Sequence, residues 1–266
     1  MSGPPVLDGR LALDDGEIEY RRIEGDPALP VTVFLHEGLG SAALWRDFPD
    51  RVAAETGAAA LVYSRLGYGG SSLPAGGAFA LDYMHVEAEG RLPAILAALD
   101  IERPLLVGHS DGGSIALIHA GAFPDAVAGL VVMAPHVFVE ECSIRAIVEA
   151  RRAFDSGGLD KRLARWHRDA AGTFDAWNLA WLDPRFRDWN IESYLPKVTA
   201  PLLAFQGEAD PYGTRAQTDR IAAQVSGPSE VVLLPGCGHA PWREAGEAVM
   251  PAVAAFAARL VGGYRL

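Results

Sequence analysis

The chain has 266 residues, of which 50% are hydrophobic and 21% charged, and its formal net charge is -11; this is an ordinary globular composition, long enough to bury a large core. The excess of acid argues against nucleic acid or an anionic membrane as partner, because either needs clustered Lys and Arg. Two cysteines, Cys142 and Cys237, make neither a disulfide framework nor a zinc pattern, and the seven histidines show no ligand spacing, so no metal and no other cofactor is expected.

The opening MSGPPVLDGR lacks the basic start and apolar core of a signal peptide, and no apolar run is long enough to span a bilayer, so a cytoplasmic address is expected. Arg10 to Leu13 and Ile18 to Ile23 read as short strands around the turn Asp14-Asp15-Gly16, a hairpin. The pattern then changes to continuous apolar runs suited to strands covered on both faces: Val31 to Leu35, Ala58 to Tyr63, Pro104 to Val107 and Val127 to Met133. Helical spacing falls between them, over Ala42 to Thr56 with a break near Pro49 and over Tyr83 to Leu99. Alternation of this kind predicts βαβ units, hence an α/β fold with a mostly parallel sheet and helices on both faces.

After Val132 the alternation stops for some sixty residues, far longer than loops in compact domains. Ile144 to Phe154 and Leu159 to Ala170 have helical patterns, and Trp166, Trp177, Trp181 and Trp189 fall in this stretch. No linker divides the chain, so the expectation is one domain over 1–266 with a helical cap insertion over 136–195 after the sixth strand. Most of the cap tryptophans are expected to pack it onto the sheet, with one or two facing a pocket. The sheet resumes at Leu202 to Phe205 and Val231 to Leu234, with helices over Arg215 to Val225 and Glu244 to Leu260.

The chemistry centres on LLVGHSDGG, residues 105–113. An apolar strand stops at Gly108 and a helix follows Gly112, which puts Ser110 on a strand-to-helix turn where a strained backbone leaves no room for neighbouring side chains. A serine hydroxyl needs a base within hydrogen-bond reach and an acid to orient that base. His239 and Asp210 each follow a predicted parallel strand, at the sheet edge where such folds place their sites, and Glu208 is the competing acid. The backbone N–H of Asp111, at the start of its helix, is the first candidate donor for an oxyanion, and Gly38 in the loop HEGLGS is the second.

Together HEGLGS (36–41), SRLGYGGS (64–71), GHSDGG (108–113), GEADPYG (207–213) and GCGHAPW (236–242) resemble the α/β-hydrolase superfamily over nearly the whole chain. The resemblance implies a nucleophile Ser110, acid Asp210 and base His239. The family's oxyanion loop usually reads His-Gly-x, and here Glu37 stands at the glycine. In the loop after the fourth strand Ser64 and Leu66 replace the usual acid and base, leaving Arg65 to do the structural job. The elbow is similar to the valacyclovir-hydrolase type, in which the acid after the serine faces the amino group of an amino-acid ester. By that resemblance Asp111, with Glu37 close by, is a candidate for holding a substrate ammonium; the alternative is that both acids are solvated or paired with a nearby Arg.

The expected function is therefore a serine hydrolase that cleaves a small carboxylic ester, an amino-acid ester or amide among the candidates, through an acyl-enzyme on Ser110. Glu37, Trp181, Tyr212 and Trp242 are the candidate substrate-binding residues. Two alternatives stay open, a carbon-carbon bond hydrolase of the diketone ring-fission type and a non-catalytic ligand receptor on a hydrolase scaffold. The partner is expected to be a small-molecule substrate, and the oligomeric state is not readable.

Overall fold

A computed structural model describes residues 5–73 and 79–262. Among them eight strands form one sheet in the order β1-β2-β4-β3-β5-β6-β7-β8. The hairpin β1 (Val6–Leu13) and β2 (Gly16–Ile23) is antiparallel and joins antiparallel to β4 (Ala60–Tyr63). All the remaining pairings are parallel, among β4, β3 (Thr32–Leu35), β5 (Leu105–His109), β6 (Gly129–Met133), β7 (Leu202–Gly207) and β8 (Ser229–Leu234).

The continuous apolar runs are explained by two cores, one on each face. Val33, Leu106, Leu130, Val132, Leu202 and Ala204 point to one side. Their neighbours Phe34, Leu105, Val107, Val131, Met133, Leu203 and Phe205 point to the other. Because side chains alternate along a strand, a strand covered on both faces needs an apolar residue at every position. The second face is covered by α1 (Phe48–Thr56), α9 (Pro241–Glu244) and α10 (Gly246–Val261), which contribute Phe48, Val52, Trp242, Val249, Val253 and Phe256.

The break in the first helical stretch falls just before Phe48, after a 3-10 turn over Ala42–Trp45, and Pro49 sits inside the first turn of α1, where its missing N–H costs nothing. Tyr83 to Leu99 is helical but not uniformly α. A π turn over Glu87–Arg91 separates α2 (Tyr83–Val86) from α3 (Leu92–Ala98). In π register Leu92 donates to the Glu87 carbonyl, so Pro93, lacking an N–H, leaves the Ala88 carbonyl unserved. The buried His119 Nδ1–H supplies that bond at 2.8 Å from α4 (Asp111–Ala122).

Between β6 and β7 lie α5 (Glu141–Asp155), α6 (Leu159–Leu163), α7 (Ala170–Leu182) and two 3-10 turns, Pro184–Asp188 and Glu192–Lys197. The helix expected over Leu159 to Ala170 is a correction: it ends at Leu163, and a new helix starts where Asp169 caps the Gly172 N–H at 2.9 Å. The apolar run of α7 had no polar stripe to mark it, because it is buried on most sides. The last helix, expected over Glu244 to Leu260, is α10, and the short α9 precedes it across Ala245. α8 (Arg215–Gln224), opened by the Thr214 side chain, lies between β7 and β8. No helix among the described residues is long and apolar enough to cross a membrane.

Candidate active site

Parallel strands carry all their C-terminal ends to one edge, and six loops meet there: those after β3, β4, β5, β6, β7 and β8. After β5 the backbone turns sharply, with Ser110 at φ 52 and ψ -119, a region a non-glycine residue adopts only when its surroundings impose it. The two glycines flanking it are explained by contact. A Cβ on Gly108 would meet the Gly112 carbonyl oxygen at 2.3 Å, and one on Gly112 the Leu35 carbonyl oxygen at 1.9 Å.

Ser110 Oγ is 2.9 Å from His239 Nε2, and His239 Nδ1 lies 2.9 and 2.8 Å from the two oxygens of Asp210. The three side chains are thus joined in one hydrogen-bonded row, although 129 residues separate the first two. Asp210 also accepts from the Tyr212 N–H at 2.8 Å and from Gln206 Nε2 at 2.9 Å. Burial works to raise its carboxyl, but the hydrogen bond and charge of His239, with the Tyr212 N–H, outweigh it and hold the group below the ordinary aspartate value. Glu208, the competing acid, is exposed. The His239 loop is pinned from two sides. Glu244 accepts from the N–H groups of Gly238 and Ala240 at 2.7 and 3.2 Å, and His109 Nε2–H donates to the His239 carbonyl at 2.6 Å.

The loop after β3 is held by one carbonyl. The Glu37 oxygen accepts from the Gly40 N–H at 3.0 Å, from His36 Nδ1–H at 2.7 Å and from Arg65 at 2.9 Å. His36 Nε2 accepts in turn from the Arg65 N–H at 3.1 Å, which fixes its tautomer. In a trans peptide the C=O and the following N–H point in opposite directions, so these three donors turn the Gly38 N–H away from themselves. Arg65 does the structural job expected of it: buried, it clamps this carbonyl, lies over the Tyr68 ring at 4.6 Å and stands 4.0 Å from Asp111. The N–H of Asp111, in the first turn of α4, has no partner within the helix.

The candidate binding residues fall in different places. Tyr212 stacks obliquely on His239 with ring centroids 4.6 Å apart, beside the row. Glu37 folds back toward His109, 3.4 Å from its Nδ1. Burial opposes the Glu37 charge, but the neighbouring His109 and then His36 outweigh it and hold its pKa at about 2. Trp242 packs against Trp45 and Phe48 in the core on the α1 side and gives its indole N–H to His109 at 3.3 Å, behind the site. Trp181 is wholly buried; its indole N–H goes to Tyr83 Oη at 3.0 Å, and Tyr83 O–H donates to Asp111 Oδ2 at 2.6 Å. Burial raises the Asp111 carboxyl against the opposing pull of Arg65 and Tyr83. Of the two readings offered for this acid, pairing with a nearby Arg describes its surroundings.

His136, just past β6, was not singled out by its spacing. Its backbone is tied to α4 through Ser114, whose hydroxyl donates to the His136 carbonyl at 2.6 Å, and its ring lies 6.0 Å from that of His239 and 5.2 Å from Trp181. Burial first, and then repulsion from His239, lowers its pKa from 6.5 to about 4. An unfolded His136 takes up its proton near 6.5 and the folded one only near 4, so stability present above pH 6.5 is lost as pH falls through that window, by up to about 3 kcal/mol. His136→Gln is therefore expected to shrink the difference in urea-unfolding free energy between pH 7 and pH 4 by about that amount. An unchanged difference would show that the ring is not excluded from its proton.

A model described as the alpha/beta hydrolase family matches residues 32–252. The chain is 26% identical over 255 residues to mouse serine hydrolase BPHL, covering 89% of this chain and 81% of that protein. It is 24% identical over 280 residues to proline iminopeptidase of Lactobacillus helveticus, covering 88% and 92%. Among solved structures, a bacterial membrane phospholipase A superposes with a TM-score of 0.77 at 22% identity, over 96% of this chain and 86% of that one.

Proposed function

The chain belongs to the alpha/beta hydrolase family, and we propose that it is a serine hydrolase that cleaves a small, uncharged carboxylic ester through an acyl-enzyme on Ser110. The hydrogen-bonded row Ser110–His239–Asp210 carries this reading. Ser110 Oγ attacks the acyl carbon while its proton passes to His239 Nε2, and Asp210 keeps the Nδ1–H in place and stabilises the imidazolium. The carbonyl oxygen becomes an oxyanion held by the N–H groups of Asp111 and Gly38. Collapse breaks the ester C–O bond, and Nε2–H protonates the departing alkoxide. Water, deprotonated by the same nitrogen, then attacks the acyl-enzyme, and Ser110 recovers its proton as the acid leaves. The helices between β6 and β7 act as the cap over this site.

The uncharged acyl group is inferred from Asp111. Its carboxylate is 1% exposed, takes the Tyr83 hydroxyl at 2.6 Å and faces Arg65, so a substrate ammonium would have to displace a buried bond and compete with a buried cation. The test is a matched pair, p-nitrophenyl butyrate and the p-nitrophenyl ester of 2-aminobutyrate, with labelling by a fluorophosphonate probe. Multiple turnover on the neutral ester with at least a tenfold preference in kcat/KM is expected. A preference for the ammonium ester would reverse the assignment of Asp111. No turnover and no labelling would reject the hydrolase reading and favour a receptor on this scaffold.

A further inference from the structure

Resting on the hydrolase reading, we propose that Trp177 is a further catalytic residue: its indole N–H, brought in by α7, is a third donor to the substrate's acyl oxygen as that oxygen gains charge. Three observations meet at this side chain. The residue is only 6% exposed, yet Nε1 finds no hydrogen-bond partner among the described residues. A buried N–H left unmade costs roughly 1–3 kcal/mol, so such a group calls for an explanation. Finally, Nε1 lies 2.1 Å from where a Cβ on Gly38 would be, and the ring atoms beside it lie at 2.7 and 2.9 Å.

That third contact gives the N–H its place. Gly38 is the residue whose own N–H is turned away from the three donors on the Glu37 carbonyl. The space its missing side chain leaves is occupied by the Nε1 edge of Trp177, which brings the indole nitrogen next to Gly38. A glycine here is therefore required by the tryptophan and not by any unusual backbone angle, since the φ of Gly38 is not positive.

The indole is also held rigidly enough to serve as a preorganised dipole. The approach to α7 is stitched to the two loops that frame the site. His167 Nδ1 accepts from the Gly69 N–H at 3.0 Å, and its Nε2–H donates to the Leu39 carbonyl, one residue past Gly38, at 3.0 Å. The Arg168 N–H donates to the Gly69 carbonyl at 2.8 Å, and Thr173 Oγ1, one turn before Trp177, donates to the Gly67 carbonyl at 2.6 Å. Phe174 packs against the Trp177 ring with centroids 6.0 Å apart. The other indole nearby, Trp181, is spoken for by Tyr83 and offers nothing to a ligand.

Trp177→Phe keeps an aromatic ring at this position and removes the N–H together with part of the ring's volume, so the boronate and resonance readouts are needed beside the rate. With p-nitrophenyl butyrate, kcat is expected to fall roughly tenfold to a hundredfold with KM changed less than twofold, because the bond strengthens only as charge develops. Inhibition by phenylboronic acid, which forms a tetrahedral anion on a serine, should weaken by a similar factor, while a fluorophosphonate should still label Ser110 to one equivalent. Unchanged kcat and unchanged boronate inhibition would overturn the proposal and leave the hydrolase reading intact. Failure of the wild type to be labelled would overturn both. Should Trp177→Phe not fold, the wild-type ¹⁵N indole resonance of Trp177, assigned by elimination with the five other Trp→Phe variants, decides: a downfield proton shift on phenylboronic acid binding supports the bond, and no shift refutes it.

Discussion

Replacing Ser110 by Ala is expected to lower kcat/KM for p-nitrophenyl butyrate by roughly 10⁵-fold and to abolish fluorophosphonate labelling, with the urea-unfolding midpoint nearly unchanged. The hydroxyl is both the attacking atom and the donor to His239 Nε2 at 2.9 Å, so its loss removes the covalent route entirely and leaves only the oxyanion donors. His239→Ala should cost about as much, and the double variant no more than either single one, because the groups act as one unit and their effects do not add. Equal labelling of wild type and Ser110→Ala would assign the nucleophile elsewhere. Additive losses would mean that the two side chains serve separate steps.

Gly112→Ala is expected to destabilise the fold by about 4 kcal/mol or more and to abolish activity in whatever fraction folds. The added Cβ would stand 1.9 Å from the Leu35 carbonyl oxygen and 2.8 Å from that of His36, both backbone atoms that no rotamer change can move. Relief requires the start of α4 to separate from the end of β3, and that motion pulls the Asp111 and Gly38 N–H groups apart. Gly90→Ala is the contrasting control. Among the described residues a Cβ there meets nothing within 4 Å, so the variant should be unchanged or gain up to about 1 kcal/mol from helix propensity. Urea midpoints of the two variants check this directly, and similar midpoints would show that the elbow can relax.

Much of the architecture was legible because its signals are local. Two-faced burial writes continuous apolar strands, and turns that crowd backbone against backbone demand glycine, so β3 to β7 and the Ser110 turn stood out before any contact was known. The three residues of the row were legible for a related reason: each follows a parallel strand, and parallel strands deliver their ends to the same edge. The limits of α7 were not legible, since a helix buried on most sides carries no amphipathic stripe. The amine-binding role considered for Asp111 rested on the resemblance of the GHSDGG elbow to the valacyclovir-hydrolase type. Its surroundings come from Tyr83, Arg65 and Trp181, which lie on three other segments.

The amino-acid order by itself determined which types of group this protein brings to the edge of its sheet: a strained serine, a histidine, a carboxylate and glycine-shaped backbone, all short-range patterns. Folding alone chose how each is aimed. That the Glu37 carbonyl takes three donors, that His109 holds the His239 backbone, and that the Trp177 N–H rather than that of Trp181 has no partner among the described residues all depend on segments far apart in the chain. Hydrogen bonds act over about 3 Å and in set directions, so their pairing is settled by packing in three dimensions and leaves no periodic trace along one.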